Sequence, residues 1–513
     1  MSSDLKHILA WTISGGWGHA RPMLAFLTHL VKTQPVQVTF AVSKVIFGRS
    51  KDELPRHFTQ DQAETMKLIK LVEVSSSSPM QLEEMKANYE AVLDSILADP
   101  SQRDPDVFLT DVIAFCTIDV AQSKSRKPYK IVGWCSVAPM LLYSHLRELS
   151  ESFSGLAGAL DEIVNEIEEK AKSDGLTFRQ AAVEVNASHI TGKIIQVPGL
   201  PPVADHEMYP QEPPYFLPFD IHFNSLRSLA LMDGLVSPTA YCLEPNAYEA
   251  LSLWFEGRPI FLTGPLYPSG EDAHGAAAKA GELAQAQAAG GIEQFLDRVL
   301  EERGRKSLLY ISFGSTFSTV VGIDGQKLWA WIDVVLDMDI PVVLAYPPQN
   351  APFPEALQAK IDASKVTFIC QYAPQQYVLS HPATGWFLTH NGLSGTVETL
   401  QAGIPMISWP ICADQPVYAM LNALALKSGY ELHEVRRGHG LKYRPSYEIQ
   451  PIGTLEAVRQ EAKEVLAKAF LNEEEKKKMQ SSAAVAQAKL AEAWVKDKGS
   501  AREAMDRFVR MFL

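Results

Sequence analysis

The chain of 513 residues is 46% hydrophobic and 21% charged, a balance too apolar for a disordered polypeptide and ordinary for an enzyme of about two to four domains, most economically two large ones. Its net charge of −13 argues against a nucleic-acid partner, so an anionic ligand must be held by a few local groups. The five cysteines are odd in number, widely spaced and without a C-x-x-C pair, which excludes a zinc ribbon or disulfide scaffold and reads as reduced core thiols.

The N-terminal apolar run is too short for a secretion signal, and no stretch of 18 uncharged apolar residues follows. A cytoplasmic protein without an integral membrane segment is expected. His7–Ile13 reads as a strand ending at a glycine turn, with a helix through Met23, Leu24, Phe26, Leu27 and Leu30. Strands at Val36–Val42, Ile69–Val74, Val107–Thr110 and Ile131–Trp134 alternate with helices near Glu83–Leu97 and Ile113–Ser123, the rhythm of a parallel, doubly wound sheet.

From Ser144 to Tyr241 the sequence is helix-prone and then proline-rich between Val197 and Pro218, predicting helices and loops that line a pocket and add no strand. A linker is expected over 264–291. The rhythm returns with strands at Ser307–Phe313, Val342–Tyr346, Val366–Ile369, Gly385–Leu388 and Met406–Trp409. Leu455–Phe512 is charged and alanine-rich, predicting a polar-faced pair of helices that brace the domains. The expected organisation is α/β throughout: a Rossmann-like domain over 1–263, the linker, a second Rossmann-like domain over 292–490, and a C-terminal helix over 491–513 returning to the first.

Two constellations carry chemistry. The first turn, Ser14-Gly15-Gly16-Trp17-Gly18-His19-Ala20-Arg21-Pro22, has Arg21 where the third glycine of a dinucleotide loop belongs, and the second strand ends without a ribose-binding acid, so no nicotinamide cofactor is expected. His19 alone reads as readily as a structural or surface residue. Asp111, however, follows the strand at Val107–Thr110, and the carboxyl ends of parallel strands converge on one crevice where it can meet His19. A carboxylate that accepts one imidazole proton fixes the tautomer and stabilises the imidazolium formed when the other nitrogen is protonated. No serine or cysteine nucleophile elbow is evident, so the pair suits deprotonation of a substrate hydroxyl.

The second constellation runs from Gln371 to Gln415. His390 follows a buried strand, and Asn391-Gly392-Leu393-Ser394-Gly395 opens a helix whose free amides and dipole form an anion site needing no lysine patch. Tyr372 lies where it can stack on a flat base, Glu398 one turn into the helix where it can meet ribose hydroxyls, and Asp414 and Gln415 after a strand as hydroxyl-reading groups. Each alone has an ordinary explanation: core edge, helix charge, helix start. The one D-x-D run, Asp337-Met338-Asp339, ends a helical stretch and reads as a turn, so no metal site is expected.

In order and spacing this segment closely resembles the nucleotide-sugar box of the UDP-dependent glycosyltransferases, in which W-A-P-Q precedes T-H-C-G-W-N-S-x-x-E and a terminal D-Q. The resemblance covers most of the chain. It implies a GT-B fold of two facing Rossmann-like domains, His19 as the base of a G-H-x-x-P motif, Asp111 as its orienting acid, and Ser312-Phe313-Gly314-Ser315 as the second glycine turn. It implies a UDP-sugar held by Tyr372, Ala373, Gln375, His390, Gly392, Leu393, Ser394, Gly395, Glu398, Asp414 and Gln415, with Ser315 and Ser136 near the diphosphate or sugar. Tyr372 would stack on uracil, Gln375 and Glu398 bind ribose, His390 donate to a diphosphate oxygen, and Asp414 and Gln415 hold the sugar.

Tyr372 and Leu393 each replace a tryptophan, Ser394 an asparagine and Gly395 a serine. Losing the side-chain donor at Gly395 would weaken UDP binding by about 0.5 to 3 kcal/mol unless amides, Ser315 or Thr316 compensate. The implied reaction is an inverting transfer, first of glucose and next of xylose, to a hydroxyl of a lipophilic small molecule such as a terpenoid, phenol or sterol. The UDP-sugar is a co-substrate and no cofactor is expected. Trp17, Phe115 and Met140 are acceptor-site candidates. Two alternatives stay open: an epimerase-like enzyme, which would turn over donor without acceptor, and a non-catalytic nucleotide-sugar binder, which has no need of His19 and Asp111 together.

Overall fold

The protein is described by a computed structural model over residues 5–12, 15–75, 81–212, 219–266, 280–281, 283–284, 290–314, 317 and 322–513. It divides into two compact units. The first comprises Met1–Ser188, Leu217–Ala278 and Glu492–Leu513, and the second His189–Phe216 and Lys279–Ala491.

Among the described residues the first unit holds seven strands: β1 (His7–Trp11), β2 (Gln37–Ser43), β3 (Ile69–Val74), β4 (Val107–Asp111), β5 (Lys130–Trp134), β6 (Gly234–Ser237) and β7 (Ile260–Leu262). They are all parallel, in the order β3-β2-β1-β4-β5-β6-β7. Every residue of β1, β4 and β6 is buried, as expected of a parallel sheet covered on both faces. On one face Met23, Phe26, Leu27 and Leu30 from helix Trp17–Thr33 join Ile8, Leu109 and Trp134 in the core.

The second unit repeats the plan with β8 (Leu308–Ser312), β9 (Val342–Ala345), β10 (Thr367–Cys370), β11 (Thr384–Thr389), β12 (Met406–Ser408) and β13 (Gly429–Glu431). These too are parallel, in the order β10-β9-β8-β11-β12-β13. In both sheets the order reverses beside the first strand, between β1 and β4 and between β8 and β11. Ligands of open α/β sheets bind at such a switch, outside the carboxyl ends of the strands.

Three departures from the sequence reading have physical causes. β6 lies inside the stretch expected to add no strand; it is four residues long with two large apolar side chains, so neighbours rather than its own pattern make it a strand. Residues 189–216 pack in the second unit, not with the rest of 1–263. Glu207 makes a 3.0 Å ion pair with Arg444, both side chains 0% exposed, and Gln211 donates to the carbonyls of Pro410 and Val435. Arg444 also pairs with Glu431 at 2.9 Å, so a buried network satisfies each charge at least twice.

The third departure is at the C-terminus, where three helices replace the expected polar-faced pair. Leu455–Leu466 and Glu473–Ala491 belong to the second unit, and Val458, Ala462 and Leu466 enter its core. Ser500–Phe512 belongs to the first, with Met505 and Phe508 buried and the Phe508 ring 5.3 Å from Phe26. Most of the expected linker, Tyr267 and Pro268 included, lies outside the described residues. Cys116, Cys135 and Cys412 are buried free thiols, whereas Cys242 and Cys370 are half-buried. Among the described residues no helix is long and apolar enough to cross a membrane.

Candidate functional site

In the first unit, β1 delivers the chain to Gly15, whose φ of 72° needs a glycine, and helix Trp17–Thr33 starts beyond it. His19 sits in the first turn of that helix. Asp111 is the last residue of β4, the neighbour of β1 across the switch, and its Oδ2 lies 2.7 Å from His19 Nδ1. The other carboxylate oxygen accepts the Ile113 N–H at 3.0 Å, capping the short turn after β4. Asp111 is 0% exposed and His19 22%, so a fixed carboxylate backs an imidazole whose outer edge meets solvent. Nδ1 carries the proton toward Asp111, and in that tautomer Nε2 is the ring's proton-accepting atom.

Of the remaining candidates here, Ser136 follows β5 and is buried, its Oγ without a hydrogen-bond partner among the described residues. Trp17 is half-buried beneath Arg49, whose guanidinium lies 4.4 Å from the ring centroid. Phe115 packs at the edge of the core cluster around Tyr89. Met140 is 1% exposed and donates its N–H to Glu244 at 3.0 Å, so its side chain belongs to the packed interior.

In the second unit, the glycine turn after β8 and the residues after β11 meet at the switch. A Cβ on Gly314, at φ 73°, would lie 3.0 Å from His390 Cε1, and one on Gly392 would lie 2.8 Å from His390 Nε2. Both glycines are therefore required by the approach of backbone to imidazole. Burial pushes the His390 pKa down to about 4, and its Nδ1 has no partner among the described residues. A neutral imidazole donates from one nitrogen, so this ring is suited to hydrogen-bond an anion.

Gly392 is the N-cap of helix Leu393–Gln401 and gives that cap no side chain. The first-turn amides are the donors of an anion site, with Ser394 and Gly395 half-exposed beside them and Leu393 buried. A Cβ on Gly395 would meet only Gln375 Nε2 and Thr389 Oγ1, both at 4.0 Å, so a larger residue fits there. Gln375 donates to Glu398 Oε2 at 3.1 Å, which joins the two expected ribose ligands. Tyr372 is 54% exposed just after β10, and Ala373 beside it packs on the core.

Asp414 and Gln415 are both buried. The Gln415 side-chain oxygen accepts the N–H groups of Ile411 at 2.9 Å and Cys412 at 3.1 Å, so it shapes the loop after β12, while its amide NH₂ donates to Cys412 Sγ at 4.0 Å and has a second N–H beyond that weak bond. Ser315 and Thr316 lie outside the described residues. Asp337 and Asp339 of the D-x-D run pair with Lys360 at 2.7 Å and Arg303 at 2.5 Å. Among the described residues no group of three or more His, Cys, Asp or Glu side chains is arranged to hold a metal ion.

Sequence reasoning named Asn391 only as the start of the helix opening and gave it no role of its own. It is fully buried at φ 62°, and its N–H donates to Thr389 Oγ1 at 3.3 Å. Asparagine is among the few residues that tolerate this left-handed conformation, and the Asn-Gly step before a helix was the available signal. It stands where the T-H-C-G-W-N-S-x-x-E motif has cysteine.

Comparison with known proteins agrees with this architecture. A family profile described as "UDP-glucoronosyl and UDP-glucosyl transferase" matches residues 284–428. The chain is 32% identical to UDP-glycosyltransferase eriJ of Hericium erinaceus, over 96% of each chain. Among solved structures it resembles Medicago truncatula UGT71G1 complexed with UDP-glucose, at a TM-score of 0.67 and 18% identity over 98% of both chains. It also resembles a UDP-glucosyltransferase from Polygonum tinctorium capable of glucosylating indoxyl, at a TM-score of 0.66 and 18% identity over 100% of this chain and 99% of the other. At that identity the structural likeness is one of fold, the GT-B arrangement of two Rossmann-like domains.

Proposed function

The chain belongs to the UDP-glycosyltransferase family, and on that premise we propose that it is an inverting enzyme which transfers glucose, or failing that xylose, from its UDP-sugar to a hydroxyl of a lipophilic small molecule. The observation that carries the reading is the 2.7 Å contact of His19 with a fully buried Asp111. A nucleotide-sugar binder gains nothing from a carboxylate-backed imidazole, whereas a transferase needs one to remove the acceptor's proton.

In this reaction His19 Nε2 takes the hydroxyl proton as the oxygen attacks the anomeric carbon. Asp111 stabilises the imidazolium that forms. The C–O bond to UDP breaks on the opposite face, and the charge developing on the diphosphate is met by the N–H of neutral His390 and the amides that open helix Leu393–Gln401. Gln375 and Glu398 hold the ribose, Tyr372 stacks on the base, and Asp414 with the amide NH₂ of Gln415 reads the sugar. Ser136 approaches the diphosphate or sugar. The acceptor lies near Trp17 and Phe115 and resembles in class the small aromatic indoxyl used by the Polygonum tinctorium enzyme.

The test is a thermal-shift titration with UDP, UDP-glucose, UDP-xylose, ADP, GDP and NAD, followed by an acceptor screen by mass spectrometry with the donor that stabilises most. Stabilisation confined to uridine compounds, then a glycosylated acceptor of inverted anomeric configuration, is expected. No uridine response, or donor turnover without any acceptor, would overturn the proposal.

A further inference from the structure

In the helical turn that carries His19, the N–H groups of His19 and Ala20 both donate to the Gly16 carbonyl, at 3.0 and 2.9 Å. The N-cap is Gly16, which offers no side-chain bond, and Gly18 lies within the first turn. Pro22 has no N–H to give to the Gly18 carbonyl one turn earlier. A proton acceptor nevertheless has to keep its place to a fraction of an ångström, because small misplacements cost large factors in rate.

A side-chain restraint comes from helix Lys44–Glu53. Its residues 49 and 53 are one turn apart, and so are residues 17 and 21 on the helix they face. The Arg49 guanidinium lies 4.4 Å from the Trp17 ring centroid, and Arg21 Nε donates to Glu53 Oε1 at 2.9 Å. At about 100° per residue, His19 is displaced by about 200° from both Trp17 and Arg21, so these contacts grip the turn from the face opposite the imidazole.

The grip is anchored inside the protein. Glu53 also accepts from Arg56 Nη1 at 2.6 Å and faces His57 Nε2 at 3.3 Å, and all three side chains are buried. Burial pushes the Glu53 carboxyl up, but Arg21, His57 and Arg56 outweigh it and hold the group well below the usual carboxylate range. Glu53 therefore stays ionised wherever the enzyme is folded and active. Because Arg56 remains when Arg21 is replaced, the carboxylate is not left buried without a cation.

We propose that this two-point clasp, Arg49 on Trp17 and Glu53 on Arg21, fixes the first turn of helix Trp17–Thr33 and so aims His19 at the acceptor hydroxyl, which makes Arg21 and Glu53 positioning residues for proton removal. The rate consequence rests on His19 being the acceptor base, whereas the mechanical claim stands by itself.

The experiment pairs kinetics with hydrogen exchange. With UDP-glucose as donor and hydroquinone as a simple phenolic probe, Arg21→Ala should lower kcat about 10- to 100-fold with the UDP-glucose KM changed less than about twofold, and Arg21→Lys should recover part of the loss. In a His19→Ala background the Arg21→Ala change should cost less than about a further twofold, since its effect passes through the imidazole. A full additional loss there, or a loss borne by KM, overturns the positioning role. In parallel, amides 17–21 should exchange at least about tenfold faster in Arg21→Ala and in Arg49→Met, with the protection of β1 and β4 unchanged. Unchanged exchange in both variants overturns the clasp whatever the activity. Equal transfer by His19→Ala and the parent enzyme instead removes the base assignment, and exchange still decides whether the clasp exists.

Discussion

The two units solve the same topological problem with a histidine and use it in opposite ways. His19 lies at the β1/β4 switch and His390 at the β8/β11 switch. His19 has a carboxylate 2.7 Å from Nδ1 and an edge open to solvent. His390 has no such partner on Nδ1 among the described residues, the Phe317 ring 5.6 Å away, and backbone from Gly314 and Gly392 pressed against it. The second environment penalises an imidazolium, because burial disfavours the charged form. Residue type and fold position are shared, and in the proposed reaction the adjacent groups divide the work into proton acceptor and neutral donor.

That division is broken most directly by His19→Ala, which should lower transfer by about 10²- to 10⁴-fold while the UDP dissociation constant, read by calorimetry, stays within about twofold. A parallel loss of UDP affinity would make the two histidines alike. Next in size is acid stability. The folded-state pKa of His390 is about 4 against an ordinary 6.5, so the unfolded chain binds the extra proton first as pH falls through that window. The parent protein should lose roughly 3 kcal/mol from this group between pH 6.5 and 4, at about 1.4 kcal/mol per pKa unit, and nothing further below. Urea unfolding at pH 7 and 4.5 should show a shallower acid limb in His390→Gln, and parallel limbs would refute the neutral assignment.

Two changes sharpen the donor side of the comparison. Glu398→Ala should raise the UDP dissociation constant about 10- to 100-fold, the value of a charged hydrogen bond at about 1.5 to 3 kcal/mol, and an unchanged constant removes its ribose role. Smallest is Gly395→Ser, where the 4.0 Å clearance accepts a hydroxymethyl group. It should tighten UDP binding about two- to tenfold by restoring a donor at the helix start, and weaker binding would mean that this space serves something else.

Where the sequence spoke clearly, burial and local pattern coincided. β2, read from VQVTFAV, and β3 are long enough to show their character, whereas β6 (GLVS) and β13 (GYE) are short and open on glycine, a poor strand former, so their neighbours decide them. The meeting of His19 with Asp111 was legible because parallel topology alone brings those strand ends together. The use of the Gln415 oxygen by Ile411 and Cys412 was not, because a loop's internal hydrogen bonds leave no periodic signal. The attachment of residues 189–216 to the second unit was equally hidden, since Glu207 meets a partner 237 positions later.

That attachment governs how the enzyme can be recombined. A chimera made by one crossover in 264–291 would take Glu207 from one parent and Arg444 from the other, although both sit in one interior. If the parent supplying residue 207 lacks Glu207, Arg444 and Arg436 must share Glu431 alone and the interior carries an excess positive charge, and breaking a buried pair in this way costs about 3 to 5 kcal/mol, a large fraction of an ordinary domain's stability. The exchangeable module is therefore discontinuous in sequence. Grafting the second unit onto a new first unit requires transplanting residues 189–216 with it and leaving 492–513 behind.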